Sequence, residues 1–502
     1  MKNTTFIVSL TISIVFIVIG ILFTDQFGAL ASSFLDFVSV YFGSFYLLAN
    51  SLFILIALYF AFSKYGKLRL GKKDERPEFS TFTWIAMLYS AALATTLLFW
   101  GIGEPVTTYL SPPTGEGRTV EAAETGMLYT FFHFGFNNWA PYSMVGLILA
   151  YFMHRKKYLP LFSRSLYPLF GDKVNGPIGV SADVIVIIAS VFGISTSLGL
   201  SMMQVSAGLS SEWGMGDSTF THVILLSLLT VIFIASAYTG IHRGIKILSN
   251  VNMWIAIAIM LWVMVTGPTI QIFDTFIGTT GDYLQNFASL TLGIDAFRDN
   301  SWIGNKTLFY WGQIFTWGSF IGVFIARISK GRTIRDFIIG TILIPTVGTF
   351  VWFATMGGSA LHFIQNLGIT ELADTVDQNL PLAIFEFLKF FPMSPVIILL
   401  MFVLIFTFII TSADSGSYVL AMLSERSEQP SNKAKITWGL IMFLTTLVLL
   451  LSGGLDPLYS ASVLGGLPLA IVLILMSVSF IKAIRNEDLD EETKVEPLKK
   501  DA

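Results

Sequence analysis

The chain is 502 residues long, 54% hydrophobic and only 13% charged, with a formal net charge of −3. Soluble chains carry about 25% charged residues, so this composition excludes a water-soluble globular protein, and it excludes intrinsic disorder for the same reason. The charge balance gives no sign of a nucleic-acid partner, and the absence of cysteine removes disulfides, thiolate metal sites and a Cys nucleophile.

In chain order, twelve runs are long and apolar enough to cross about 30 Å of hydrocarbon as helices. They are 6–24, 42–63, 82–109, 126–153, 183–211, 219–240, 250–267, 305–326, 336–360, 394–413, 436–453 and 459–482. The first run has no A-x-A site after it, so no cleavable leader is expected. With the N-terminus in the cytoplasm, 26 of the 30 Lys and Arg fall on cytoplasmic segments. Only Arg118, Arg298, Lys306 and Lys389 fall on the other side. The positive-inside rule therefore supports an all-α polytopic membrane protein with twelve spans and both termini in the cytoplasm. The stretch Tyr283–Leu292, within the outer connection 268–304, has apolar residues at helical spacing. It reads equally as an interfacial helix or an ordinary loop helix.

Polar groups at membrane depth are costly and mark candidate sites. Span three carries Ser90-Ala91-Ala92-Leu93-Ala94-Thr95-Thr96 and then Phe99-Trp100-Gly101-Ile102-Gly103-Glu104-Pro105. Such a stretch either unwinds to offer backbone groups to a ligand or forms a small-residue packing face. Span four carries His133-Phe134-Gly135-Phe136-Asn137-Asn138-Trp139-Ala140-Pro141-Tyr142. Span eight carries Phe309-Tyr310-Trp311-Gly312-Gln313-Ile314-Phe315-Thr316-Trp317, then Phe320 and Phe324. These aromatics either pack against neighbours and lipid or turn into one cavity as a cage for a quaternary ammonium. At the end of span ten, Thr411-Ser412-Ala413-Asp414-Ser415-Gly416-Ser417 offers neutral oxygens suited to Na⁺, with Asp414 open to a helix-capping role. The five histidines show no HxxxH or HExxH spacing, and Glu104, Asp414 and His133 form no known catalytic spacing. A membrane-embedded enzyme is disfavoured, and no cofactor beyond a coupling ion is expected.

Taken together, these segments resemble the betaine/choline/carnitine transporter family. The likeness runs from Tyr59 to Leu423 and includes Gly66-Lys67-Leu68-Arg69-Leu70-Gly71, Ser197-Leu198-Gly199-Leu200 and Ala326-Arg327-Ile328-Ser329-Lys330-Gly331-Arg332. It implies a LeuT-like core of two inverted five-helix repeats, with two extra N-terminal helices. The implied layout is 1–63 for those helices, 64–81 a basic cytoplasmic loop, 82–273 the first repeat (spans 3–7), 274–304 an outer connection, 305–482 the second repeat (spans 8–12) and 483–502 a charged cytoplasmic tail. The resemblance further implies a homotrimer in the plasma membrane that imports a small zwitterionic or cationic methylated ammonium compound by Na⁺ symport. A Na⁺-independent substrate:product exchanger is the alternative.

Residue by residue, the resemblance places Phe134, Trp139, Tyr142, Trp317 and Phe324 around the substrate, with Gln313 as a more polar wall where a Trp is common. Ser197 matches a position near the substrate's polar end. Ala92, Thr95 and Thr96 belong to the stretch facing a carboxylate. Thr411 and Ser412 match Na⁺ ligands, completed by the backbone carbonyls of Ser90, Leu93 and Phe408. Ser190 and Ile194 stand where a second Na⁺ site uses two Thr, so that site is not expected. Met253 stands where Na⁺-independent exchangers place an Arg, which favours retained coupling. The tail lacks a long basic helix, so osmotic activation is not expected.

Overall fold

A computed structural model describes residues 2–92, 94–239, 242–294 and 300–487, without the side chains of residues 2, 3, 89–92, 94, 95, 236–239, 242–247 and 249. Among the described residues the architecture is helical, with one isolated antiparallel bridge, Arg69 to Thr333. Helix is the form that satisfies every backbone N–H and C=O within its own segment where water is absent.

The first helices are α1 (Lys2–Leu22), α2 (Thr24–Phe62), α3 (Thr81–Ala92), α4 (Ala94–Leu110), α5 (Val120–Phe134) and α6 (Phe136–Ala150). Then come α7 (Pro177–Trp213), α8 (Thr219–Thr239), α9 (His242–Thr266) and α10 (Thr269–Thr291). The last are α11 (Ile303–Ile328), α12 (Ile334–Gln365), α13 (Ser394–Glu425), α14 (Asn432–Leu451) and α15 (Leu455–Arg485). Eight of these are individually long and apolar enough to cross a membrane: α1, α2, α7 and α11 through α15. The pair Asn250–Thr266 and Thr269–Thr291 makes a ninth if taken together, but it is bent by 109°.

Part of the difference from twelve runs has a local cause: the run 126–153 is divided between α5 and α6. The run 82–109 includes Leu93, which lies outside the described residues. Gly135 sits at the break between α5 and α6, and a Cβ there would meet the Phe131 carbonyl at 2.4 Å and the Phe350 ring at 3.0 Å. The chain can turn at this crowded point only because the side chain is absent. The helix α2 is 39 residues long and begins well before the apolar run at 42. At 1.5 Å per residue it is about 58 Å long, roughly twice the hydrocarbon thickness. The segment around Tyr283–Leu292 belongs to α10, which starts earlier, at Thr269. Its sharp bend means that it cannot continue the α9 span.

Helix ends are set by local chemistry. The hydroxyls of Thr119 and Ser431 each accept an N–H three residues on, at 3.1 Å, capping α5 and α14. Gly214, at φ +67°, closes α7 in a left-handed turn.

The most apolar stretch of α11 is 94% buried, against 28% for that of α1, which places α11 at the centre and α1 at the periphery. It packs most closely against α6, α15 and α7. Glycines make this possible. A Cβ on Gly312 would meet Val463 backbone at 2.7 Å, and one on Gly322 would meet Val145 at 2.3 Å. Small residues at such crossings let backbones approach where lipid offers no hydrophobic drive for helices to associate. A buried polar knot ties the N-terminal α2 and the bent α10 to α6. Asn50 Nδ2 donates to the Asn137 carbonyl at 2.9 Å, Asn137 Nδ2 donates to Thr291 Oγ1 at 3.2 Å, and Tyr283 O–H donates to Asn137 Oδ1 at 3.2 Å.

Candidate functional site

Three elements converge beside α11. The early turns of α4 bring Thr96 and Leu97, the end of α5 brings Phe134, and α6 brings Asn138 and Tyr142. Helix α11 contributes Tyr310, Gln313 and Ile314, spaced so that they share one helix face. Together these eight side chains enclose a chamber of about 20 Å³. That holds roughly one water and is smaller than a trimethylammonium group. The lining rings are close-packed. Phe134 lies 5.2 Å from Tyr310 and 4.6 Å from Phe353, centroid to centroid. Gly318 leaves room for the Tyr142 ring, whose edge lies 3.5 Å from where a Cβ would stand.

Of the residues singled out from the sequence, the chamber gathers Thr96, Phe134, Tyr142 and Gln313. Trp139 is fully buried one step away, its ring 6.0 Å from Tyr142 in an edge-to-face pair. Trp317 is buried too, but its Nε1–H donates to the Gly193 carbonyl on α7 at 3.0 Å, and its ring lies outside the chamber lining. Ser197 is buried on α7, and its hydroxyl has no hydrogen-bond partner among the described residues. Phe324 lines a second, larger cavity of about 550 Å³, with Phe320, Arg327, Asp414 and Tyr418. The positions 310, 313, 317, 320, 324 and 327 follow one face of α11, so a single helix stripe runs from the small chamber to the larger cavity.

The Gln313 amide Nε2 is buried without a hydrogen-bond partner among the described residues. An unpaired buried donor is costly, about 1–3 kcal/mol, so this one, on the chamber wall, is suited to a ligand's acceptor. At the proposed ion site, Thr411 Oγ1 donates to the Phe408 carbonyl at 3.0 Å, which sets two neutral oxygens side by side. Thr411 and Ser412 are both buried. Leu93 lies outside the described residues, as do the side chains of Ser90, Ala92 and Thr95. Ser190 is occupied otherwise, donating to Val186 at 2.7 Å and lying 2.5 Å from Ser319 Oγ. Among the described residues no group of three or more His, Asp or Glu is placed to hold a metal ion.

Four lining residues, Leu97, Asn138, Tyr310 and Ile314, were not singled out from the sequence as site residues. For Tyr310 and Asn138 a signal was present, since each lies inside an aromatic cluster and on the same helix face as a residue that was chosen. Neither could be read without knowing which face turned inward. The sequence also gave no spatial link between Glu104 and His133. In the fold, His133 Nδ1 lies 2.7 Å from Glu104 Oε1, with both side chains fully buried.

Comparison with known proteins places this geometry. The model of the BCCT, betaine/carnitine/choline family transporter, matches residues 4–489. The chain is 40% identical to the Glycine betaine transporter OpuD of Bacillus subtilis (strain 168), over 93% of this chain and 91% of that one. It is 36% identical to the Ectoine/hydroxyectoine transporter of Virgibacillus pantothenticus, over 98% and 99% of the two chains. It is 35% identical to the High-affinity choline transport protein of Escherichia coli (strain K12), over 97% of this chain and 73% of that one. These relatives are transporters, so the buried Glu104–His133 pair belongs to a transporter and not to an enzyme. The chain belongs to the betaine/carnitine/choline transporter family.

Proposed function

We propose that the protein imports a quaternary-ammonium or methylated-amine compound of the betaine, choline or carnitine type, by Na⁺ symport with alternating access. The observation that carries this reading is the convergence of three rings (Phe134, Tyr142 and Tyr310) with the unpaired amide of Gln313 around one buried chamber. Ring faces attract a diffuse cation that cannot donate hydrogen bonds, and each desolvated contact contributes about 2 kcal/mol. The unpaired Gln313 amide, on the chamber wall, supplies donors for a carboxylate or hydroxyl. That donor set also suits a zwitterion such as the one named for the ectoine relative. The chamber must widen to admit any of these guests, and the α11 stripe through Trp317, Phe320 and Phe324 is the path by which it would empty toward the cytoplasm.

In this reading the chain crosses the plasma membrane twelve times with both termini inside, its core is the pair of inverted repeats, and three copies assemble. Each of the twelve apolar runs coincides with a described helix or helix pair, which supports the span count. Na⁺ would bind Thr411 and Ser412 with the carbonyls of Phe408, Ser90 and Leu93. The adjacency of the Thr411 hydroxyl and the Phe408 carbonyl supports this assignment. Coupling requires that ion and substrate prefer the same conformation, so that each tightens the other.

The test is uptake of labelled glycine betaine, choline, carnitine and ectoine into proteoliposomes, with and without an inward Na⁺ gradient. Na⁺-stimulated accumulation of at least one is expected. Uptake that ignores Na⁺ and requires internal substrate would replace symport by exchange. Failure to take up any of them would remove the substrate class.

A further inference from the structure

Glu104 is fully buried on α4, and polar groups from α5, from α11 and from α4 itself surround it. The Tyr310 hydroxyl on α11 donates to Glu104 Oε2. His133 Nδ1 on α5 lies 2.7 Å from Oε1, and Thr108 Oγ1 lies 3.4 Å from the same oxygen. The Lys306 ammonium stands 3.7 Å from Oε2 and also bonds Thr107 Oγ1. His133 Nε2 in turn meets Thr307 Oγ1 at 3.0 Å, and the His133 ring stacks on Tyr310 at 4.5 Å. One carboxylate therefore joins α4, α5 and α11.

Tyr310 belongs to two places at once. Its ring lines the chamber beside Phe134, and its hydroxyl is held by Glu104. Its ring is further braced by Trp100 at 5.3 Å. A phenol fixed at its hydroxyl cannot swing freely about its side-chain torsions. The wall it forms is set before a guest arrives, which removes an ordering cost on binding. Hydrogen bonds to an ionised acceptor are the stronger kind, so the carboxylate is a better anchor here than an amide or a hydroxyl.

We propose that Glu104 is a positioning residue of the substrate chamber: it anchors the Tyr310 ring as a fixed wall against which the ammonium group packs. This rests on the reading that the chamber takes substrate, and the experiment separates the two. Tyr310→Phe keeps the ring and removes only the anchored hydroxyl. Glu104→Gln keeps the shape and removes the charge. The readouts are KM and maximal rate for labelled choline and glycine betaine in proteoliposomes, scaled to correctly folded protein.

Tyr310→Phe is expected to raise KM about fivefold or more with the maximal rate within about twofold. Glu104→Gln, whose amide oxygen still accepts but without the charge, is expected to raise it by a smaller factor, and the double variant to be no worse than the poorer single by more than about twofold, because both changes act on the same bond. If Phe134→Ala and Tyr142→Ala raise KM while Tyr310→Phe does not, the chamber stands and the anchor falls. If none of the four moves KM, both fall. Loss of folded protein or of maximal rate at unchanged KM for Tyr310→Phe would make the contact merely structural and overturn the proposal. Should Glu104→Gln fail to fold, with Lys306 left unpaired, Tyr310→Phe alone decides.

Discussion

Replacing Tyr142 separates a cation-binding ring from a ring that only fills space. Tyr142 is buried on α6, lines the chamber with Phe134 and Tyr310, and has its edge against Gly318 and Trp139. If an onium group lies against its face, Tyr142→Ala loses about 2 kcal/mol of desolvated cation–π attraction. One decade of affinity corresponds to about 1.36 kcal/mol, so KM should rise roughly 30-fold. Tyr142→Phe keeps the ring and should stay within about threefold of the parent. The assay is uptake of labelled choline and glycine betaine in proteoliposomes. Competition by an uncharged tert-butyl isostere of choline, which has the same shape without the charge, provides the control. The ring reasoning requires that alanine weaken choline far more than the isostere. Equal weakening of both would reduce Tyr142 to apolar packing, and no weakening of either would refute its place at the site.

Other outcomes follow from the same coordinates. Thr411→Ala combined with Ser412→Ala should raise the Na⁺ concentration needed for half-maximal uptake without raising substrate KM at saturating Na⁺, measured by a Na⁺ titration of uptake. Gly312→Ala should lower the thermal midpoint of the purified protein. Its Cβ would stand 2.7 Å from Val463 backbone, and overpacking a tight crossing costs about 1–3 kcal/mol. Outside the membrane, the hydrogen bond from Lys330, 2.7 Å away, and that from the Lys72 N–H hold the Glu75 carboxyl below its ordinary range. A depressed folded-state value means that this contribution is present above the unfolded pKa and is lost as pH falls through the folded one. Both groups are partly exposed, so its size is at most about 1 kcal/mol. Glu75→Gln should therefore flatten a small acid-side loss of thermal stability and leave neutral-pH transport unchanged.

The membrane class was readable because it rests on composition and run length, which need no tertiary information. The breaks were not. Nothing in the apolar run 126–153 announces that Gly135 ends one helix and begins another; that follows from the Phe350 ring and the Phe131 carbonyl crowding its α-carbon. The early half of α2 was hidden for a different reason. Residues 24–41 mix Asp, Gly and Ser with apolar residues, and their helix is evident only once it is seen to continue into the span at 42.

Phe134, Tyr142 and Gln313 were named through family likeness, and the fold gathers them around one small chamber. Trp317, equally prominent in the sequence, donates its N–H to Gly193 and lies outside the small chamber. Sequence spacing gives the helix face but not which partner a large ring meets. Glu104, His133, Lys306 and Tyr310 come from three separate elements, and only tertiary packing unites them.

The most direct measurement is a cryo-electron microscopy map of the full chain in lipid nanodiscs with saturating choline or glycine betaine. The account predicts density for the trimethylammonium group among Phe134, Tyr142 and Tyr310, with those rings moved apart to enlarge the chamber and the polar end reaching Gln313. Substrate density seated elsewhere, with these rings still closed on one another, would contradict it.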